Sequence, residues 1–222
     1  MNKYPDTIKL NLGCGLNAPH SWQNYDSSLH AQIKGFPFVY NMLRRMNLVN
    51  KNSPWPENVK YLNLNKELPW KNDSVDIVYL SHVLEHLSIP TTELFLTEAR
   101  RILKPNGVIR IVVPDMLSLA KEYINTTGDT SSSIDQLLWA INLGMPVERS
   151  FFKQLYDYAM GHPSVHKYMY DHFTLSSKLL QFGFCELESC SYGRSKYIVD
   201  IEVLECTSGY NNSLYVEAKK TI

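Results

Sequence analysis

Ile8-Lys9-Leu10-Asn11-Leu12-Gly13-Cys14-Gly15 alternates apolar and polar residues and then breaks at two glycines. That pattern predicts a short buried strand running straight into a tight turn. Working outward, a second strand is expected to end at Asp26, and Val59-Lys60-Tyr61-Leu62 and Val75-Asp76-Ile77-Val78-Tyr79-Leu80 are β-rich runs. The second of these runs follows the turn-forming Lys71-Asn72-Asp73-Ser74. Pro90-Thr91-Thr92-Glu93 then opens a helix whose Phe95, Ala99, Ile102 and Leu103 share one face, and Pro105-Asn106-Gly107 stops it. Val108-Ile109-Arg110-Ile111-Val112-Val113 is the clearest buried strand of the chain. Strands alternating with helical patterns are the mark of parallel βαβ packing, because each crossover needs a helix to bring the chain back to the same end of the sheet.

The remainder follows the same grammar. A helical pattern runs from Pro114-Asp115 to about Asn125, and the polar stretch Thr126 to Ser133 reads as a loop. Helical patterns around Ile134 to Leu143 and Val147 to Met160 precede an aromatic, histidine-rich stretch from His162 to Phe173. A helix through Leu175, Leu179 and Leu180 and strands at Glu186 to Tyr192 and Leu214 to Ala218 close the chain. Phe36 to Met46, with Arg44 and Arg45 among apolar residues, reads as an amphipathic helix and loop. The expected architecture is α/β: one domain over residues 1–222, a Rossmann-like, doubly wound, seven-stranded sheet with helical insertions at about 30–56 and 127–173.

Composition narrows the classes of function. With 222 residues and 44% hydrophobic content, the chain can bury one substantial core. Lys+Arg 22 against Asp+Glu 22 leaves no net charge, so nothing draws the whole molecule to a polyanion and a nucleic-acid partner is not expected. Met1-Asn2-Lys3-Tyr4-Pro5-Asp6 lacks an apolar signal-peptide core and no later run is long enough to span a bilayer, which predicts a cytosolic protein. Cys14, Cys185, Cys190 and Cys206 have neither paired zinc spacing nor a secretory context, so no disulfide and no metal is assigned.

A strand, Gly13-Cys14-Gly15, and an acidic residue at the end of the next strand make a nucleotide-binding arrangement. The glycines let a ligand approach the backbone and the carboxylate of Asp26 can hold ribose hydroxyls. Taken alone, Gly13-x-Gly15-x-x-Ala18 suits a nicotinamide dinucleotide equally well, and a tight turn without any ligand also satisfies it.

Four stretches read together are more specific: Leu10-Asn11-Leu12-Gly13-Cys14-Gly15; Leu68-Pro69-Trp70 with Asp73-Ser74-Val75-Asp76; Ser81-His82-Val83-Leu84-Glu85-His86-Leu87; and Glu98-Ala99-Arg100-Arg101-Ile102-Leu103-Lys104-Pro105-Asn106-Gly107. In this order they resemble the type 11-like class I methyltransferases over roughly residues 8 to 115. A looser similarity continues through His166 to Asp171, Gln181 to Phe184 and Ser213 to Ala218. The resemblance implies S-adenosylmethionine as cofactor. It places Leu12, Gly13, Cys14 and Gly15 against the methionine and ribose, Asp26 on the ribose, Asn63 and Leu64 beside the adenine, and Ser81 and His82 beneath the sulfonium. Asn63 stands where such enzymes often carry an acidic residue, and its amide oxygen can still accept the adenine amine. The short gap between Gly15 and Asp26 leaves little room for the usual first helix.

Methyl transfer needs alignment and exclusion of water, and a hydroxyl acceptor also needs its proton removed. His166 is the preferred base, with Asp171 as its orienting carboxylate and His86 as the substitute; Glu85 is read as bracing its turn. A histidine bound to a backbone carbonyl is the competing reading for each imidazole. His162 with His166, or Asp171 with His172, has spacing that suits a metal, but a surface aromatic cluster explains them without one. Trp22, Trp55 and Trp70 are read as packing residues. The expected activity is O-methylation of a small molecule or glycan sugar. N-methylation of a small amine and a non-catalytic methyltransferase-like binding protein are the alternatives; a nicotinamide oxidoreductase leaves the His82 to Leu87 motif without a task.

Overall fold

The computed structural model describes residues 7–34, 36, 38, 42, 45, 56–126, 134, 137, 138, 141, 165–205 and 212–221. Seven strands form one sheet: β1 (Lys9–Leu12), β2 (Gln23–Asp26), β3 (Val59–Tyr61), β4 (Val75–Ser81), β5 (Leu103–Pro114), β6 (Phe184–Cys190) and β7 (Ser213–Lys220). Their order is β3-β2-β1-β4-β5-β7-β6, parallel throughout except for β7, which runs antiparallel to both β5 and β6. The order reverses between β1 and β4. In open α/β sheets a crevice forms outside the carboxyl ends of the strands at such a reversal, so the topology alone locates the binding region. The expected doubly wound sheet is observed.

One face of the sheet is covered by helices. Side chains alternate along each strand, and Leu10, Leu12, Val78, Leu80, Ile109, Ile111, Leu214 and Val216 point into the larger core. Helix α2 (Ile89–Ile102), which follows the short α1 (Leu29–Lys34), meets that face with Phe95, Leu96, Ala99 and Ile102, the three-to-four spacing of a buried stripe. Ser88 caps α2 by accepting the Thr91 amide, and Pro90 sits in the first turn, where its missing N–H costs nothing. Helix α3 (Met116–Thr126) follows β5, and α4 (His172–Gln181) lays Leu175 and Leu179 into the same core.

The motifs Leu68-Pro69-Trp70 and Glu98-Ala99-Arg100-Arg101 prove to be one clamp. Glu98 accepts the Leu68 amide at 2.8 Å, and Arg101 donates to the carbonyls of Leu68 and Trp70 at 2.8 Å each while pairing with Glu98 at 2.7 Å. Helix α2 ends one residue earlier than its apolar face suggests. Leu103 is extended and bridges to Val75, and Lys104, as the residue before a proline, is disfavoured in helical backbone.

On the opposite face, among the described residues, the short α1 packs Ala31 against Val59 and Cys14 at the β3 edge, and the rest is covered differently. Residues 16–22 are turns and bends, as the short gap between Gly15 and Asp26 predicts. Residues 191–205 cover Trp22, Tyr79, Val108, Val112 and Tyr215 with Ile198, Ile201 and Leu204 instead. Arg110 projects from β5 beneath that loop, fully buried, and donates to Glu205 at 2.8 Å through Nε and again through Nη2, and to Glu217 at 2.8 Å through Nη1. Burial opposes the Arg110 charge, but hydrogen bonding and the charges of Glu205 and Glu217 outweigh it and hold the guanidinium pKa above its ordinary value. Of the insertion readings, the greater part of 35–55 and 127–164 lies outside the described residues, as do His162, Trp55 and Cys206.

Candidate active site

The crevice at the β1/β4 reversal begins with the glycine turn. Gly13 and Gly15 adopt φ 73° and 53°, a left-handed backbone open to glycine without steric cost. A Cβ on Gly13 would sit 2.2 Å from Cγ2 of Val83, so this glycine also permits the close pass of the β1 and β4 ends; around Gly15 nothing lies within 4 Å of that position. The Gly13 and Cys14 amides both donate to the Tyr25 carbonyl, at 2.8 and 3.1 Å, which ties the turn to β2. Asp26, the last residue of β2, accepts the Gly15 amide at 3.0 Å on one oxygen and the Ser28 amide at 2.7 Å on the other. Each carboxylate oxygen keeps a further lone pair, so ribose hydroxyls can still donate to Asp26. An open glycine cradle beside a fixed carboxylate fits the ribose end of an S-adenosyl group.

Other expected cofactor residues divide by what their side chains touch. Leu12 is wholly buried in the core, so only its backbone faces the turn. Cys14 turns its thiol into a small cluster with Ala31 and Val59. Burial, with the Asp26 charge adding to it, pushes that thiol up to about 12, so it stays protonated and non-nucleophilic near neutrality. Asn63 accepts the Asn65 amide at 2.9 Å through Oδ1, which pins the loop after β3, while Leu64 packs into the core. Trp22 and Trp70 are packing residues, set edge-on to Tyr79 and Tyr25.

Ser81 ends β4 and His82 follows with φ 53°, an uncommon conformation for a residue with a side chain. Three contacts hold it there. The His82 amide donates to Val112 O at 2.9 Å, Nδ1 meets Glu85 Oε1 at 3.1 Å, and Nε2 meets the Ser213 hydroxyl at 3.2 Å. Glu85 lies in a single 3-10 turn, Leu84–His86, with no exposed surface, and its second carboxylate oxygen has no partner among the described residues. Its main-chain carbonyl accepts the amides of Lys167 and Tyr168 at 2.7 and 3.2 Å. That pairing, with the Asp115–Tyr170 bridge, lays residues 165–170 along the end of the sheet.

As a result His166 stands beside His86, ring centroids 4.8 Å apart, although eighty positions separate them in the chain. His86 Nδ1 meets the Val165 carbonyl at 3.1 Å and His166 Nδ1 meets the Ile141 carbonyl at 2.8 Å. A carbonyl only accepts, so both imidazoles carry their proton on Nδ1 when neutral and keep a lone pair on Nε2. Burial chiefly lowers the His166 pKa from the usual 6.5; the Glu85 charge opposes the shift and His86 adds to it.

Asp171 is a correction. Rather than orienting His166, it caps α4: Oδ1 accepts the Thr174 amide and hydroxyl, both at 2.8 Å, and those bonds hold its carboxyl below the ordinary range. The carboxylate beside His86 and His166 is Glu85. Sequence reasoning gave Glu85 only a bracing part, although the His82/Glu85 spacing is the signal that joins them within one tight turn.

Residues 10–111 match the family of methyltransferase domains. An uncharacterized protein of Methanocaldococcus jannaschii is 31% identical over 119 residues, which cover 54% of this chain and 46% of that protein, so the chain spans about half the length of this curated relative. A solved methyltransferase of Methanosarcina mazei, described as SAM-dependent, superposes with a TM-score of 0.52 at 13% identity, covering 100% of this chain and 96% of the other. One from Archaeoglobus fulgidus, also described as SAM-dependent, gives 0.47 at 18% identity, covering 96% and 86%. At such identities the likeness is one of fold. No helix among the described residues is long and apolar enough to cross a membrane. The family match thus begins at the strand that enters the glycine turn, and the sheet reversed between β1 and β4 has the fold of the solved SAM-dependent methyltransferase of Methanosarcina mazei.

Proposed function

We propose that this protein transfers a methyl group from S-adenosylmethionine to an oxygen of a small molecule or of a glycan sugar. The observation that carries the reading is the juxtaposition at the sheet reversal: a glycine cradle with Asp26 on one side, and the His86–His166 pair beyond the end of β4 on the other. The cofactor supplies an electrophilic methyl group on a sulfonium. Gly13, Gly15 and Asp26 hold the ribose end, with Asn63 and Leu64 beside the adenine and Ser81 and His82 under the reacting centre. A hydroxyl acceptor loses its proton to Nε2 of His166, whose lowered pKa keeps it neutral and receptive near pH 7. His86 packs against that ring and is the substitute base.

Two measurements test the reading. Calorimetry is expected to show binding of S-adenosylhomocysteine and none of NADH; the reverse result ends the methyltransferase assignment. Asp26→Ala should weaken that binding by about 1–3 kcal/mol, the cost of leaving a buried partner unpaired. His166→Asn should slow single-turnover transfer by about a hundredfold to ten-thousandfold while leaving cofactor affinity in place. A rate within about threefold of wild type, outside the range for loss of a general base, removes His166 from the proton transfer.

A further inference from the structure

We infer that Glu85, His86 and His166 form a binding site for one divalent transition-metal ion of the zinc or cobalt type. Each of the three offers a ligand atom, and these atoms lie within 4.8 Å of one another. What makes this more than a proximity is that each side chain has its other polar atom already committed. His86 Nδ1 is held by the Val165 carbonyl and His166 Nδ1 by the Ile141 carbonyl, which leaves both Nε2 lone pairs for a metal. Glu85 Oε1 is held by His82, which is itself braced by Ser213, and Glu85 Oε2 is buried without a partner among the described residues. Metal sites are built in this way: outer carbonyls and side chains fix the tautomer and the aim of the ligands, and an orphaned buried oxygen is costly unless something binds it.

Two imidazole nitrogens and a carboxylate oxygen suit ions of intermediate softness, with the remaining positions left to water or substrate. Ligands about 2.1 Å from a tetrahedral ion lie about 3.4 Å from one another, so the three side chains close the site by rotating towards one another. The inference stands apart from methyl transfer, because the ion is held by protein atoms alone. It also bears on the proton step: an Nε2 that ligates cannot take a proton, so a loaded site and a free His166 base are alternative states of one cluster.

The test is titration of the full chain with Co²⁺ and Zn²⁺, without cofactor. Wild type is expected to take up one equivalent of Co²⁺ with visible d–d absorption and no thiolate-to-cobalt charge-transfer band, which separates this site from the cysteines. His86→Ala, His166→Ala and Glu85→Gln should each weaken binding by at least about tenfold, since even outer-shell changes cost that much. His172→Ala, at an exposed helix position, should leave affinity unchanged. Circular dichroism identifies any variant that fails to fold, and the remaining ones still decide. Equal affinity in wild type and folded His86→Ala or His166→Ala, or uptake that carries the thiolate band, overturns the site. Because S-adenosylhomocysteine binding is measured separately, failure of the metal site and failure of the methyltransferase reading are distinguishable.

Discussion

On one face of the sheet Leu10, Leu12, Leu80, Ile109 and Ile111 meet the apolar stripes of α2 and α4. On the other, Arg110, Glu205 and Glu217 sit under a loop with Ser195 and Gly193 donating to the carboxylates at 2.5 and 2.7 Å. The helix-covered face owes its cohesion to apolar area removed from water, a non-directional effect that tolerates modest changes of shape. The loop-covered face depends on directed bonds among three ionised groups, whose desolvation is repaid only while every partner is present. Residues 191–205 therefore do the work of a covering helix by joining the apolar side chains of Ile198, Ile201 and Leu204 to this ionic cluster, and removing one ionic partner is expected to loosen the segment as a unit.

The largest effect that can break this comparison is Arg110→Met. It leaves Glu205 and Glu217 buried without their cation and should lower the unfolding free energy by about 3–5 kcal/mol in urea titrations. A loss near zero would show that the loop is held by Ile198, Ile201 and Leu204 alone. On the helix-covered face Leu96→Ala, at a wholly buried position, should cost about 2–5 kcal/mol, depending on how far the cavity collapses. Hydrogen exchange sharpens the contrast: Arg110→Met should deprotect residues 191–205 together, whereas Leu96→Ala should loosen α2 and leave that loop protected.

A smaller effect separates a structural carboxylate from a chemical one. Asp171→Ala removes the cap of α4 and should cost about 0.5–2 kcal/mol of stability, with the single-turnover rate unchanged. A rate loss at unchanged stability would return Asp171 to the proton transfer. The smallest effect is that of pH. His166 has a folded pKa below the usual 6.5, so the folded state favours the neutral ring. Its contribution to stability is complete above that value and is lost as pH falls through the folded pKa. The melting temperature of wild type should therefore drop more between neutral pH and mild acid than that of His166→Asn; parallel curves would show that His166 titrates alike in both states.

Legibility in the sequence followed the same division. Val108 to Val113 reads as a buried strand because five of its six residues are β-branched and apolar, a signal that needs no partner to be recognised, and it lies within β5. Asp26 is legible because an acidic residue closes the strand that follows a glycine turn, and the structure sets its carboxylate against Gly15. Strand ends were less legible: β6 begins at Phe184 rather than Glu186, since pairing of Phe184 with Lys220 is a long-range choice. Arg110 lies inside the Val108 to Val113 run without a partner nearby in the sequence, because its two carboxylates lie about a hundred positions downstream.

The candidate site divides in the same way. Local sequence determined its glycine-turn side, because a glycine turn and the strand that enters it are dictated by neighbours within a few residues. Tertiary structure alone decided its histidine side. His166 reaches His86 only because the Glu85 carbonyl captures the amides of Lys167 and Tyr168. It likewise decided that Asp171 caps a helix while Glu85 keeps a buried oxygen for a partner. The physical reason is range. Propensity, capping and periodicity act between near neighbours, whereas the pairing of distant polar groups depends on which strands and loops the completed sheet brings to one edge.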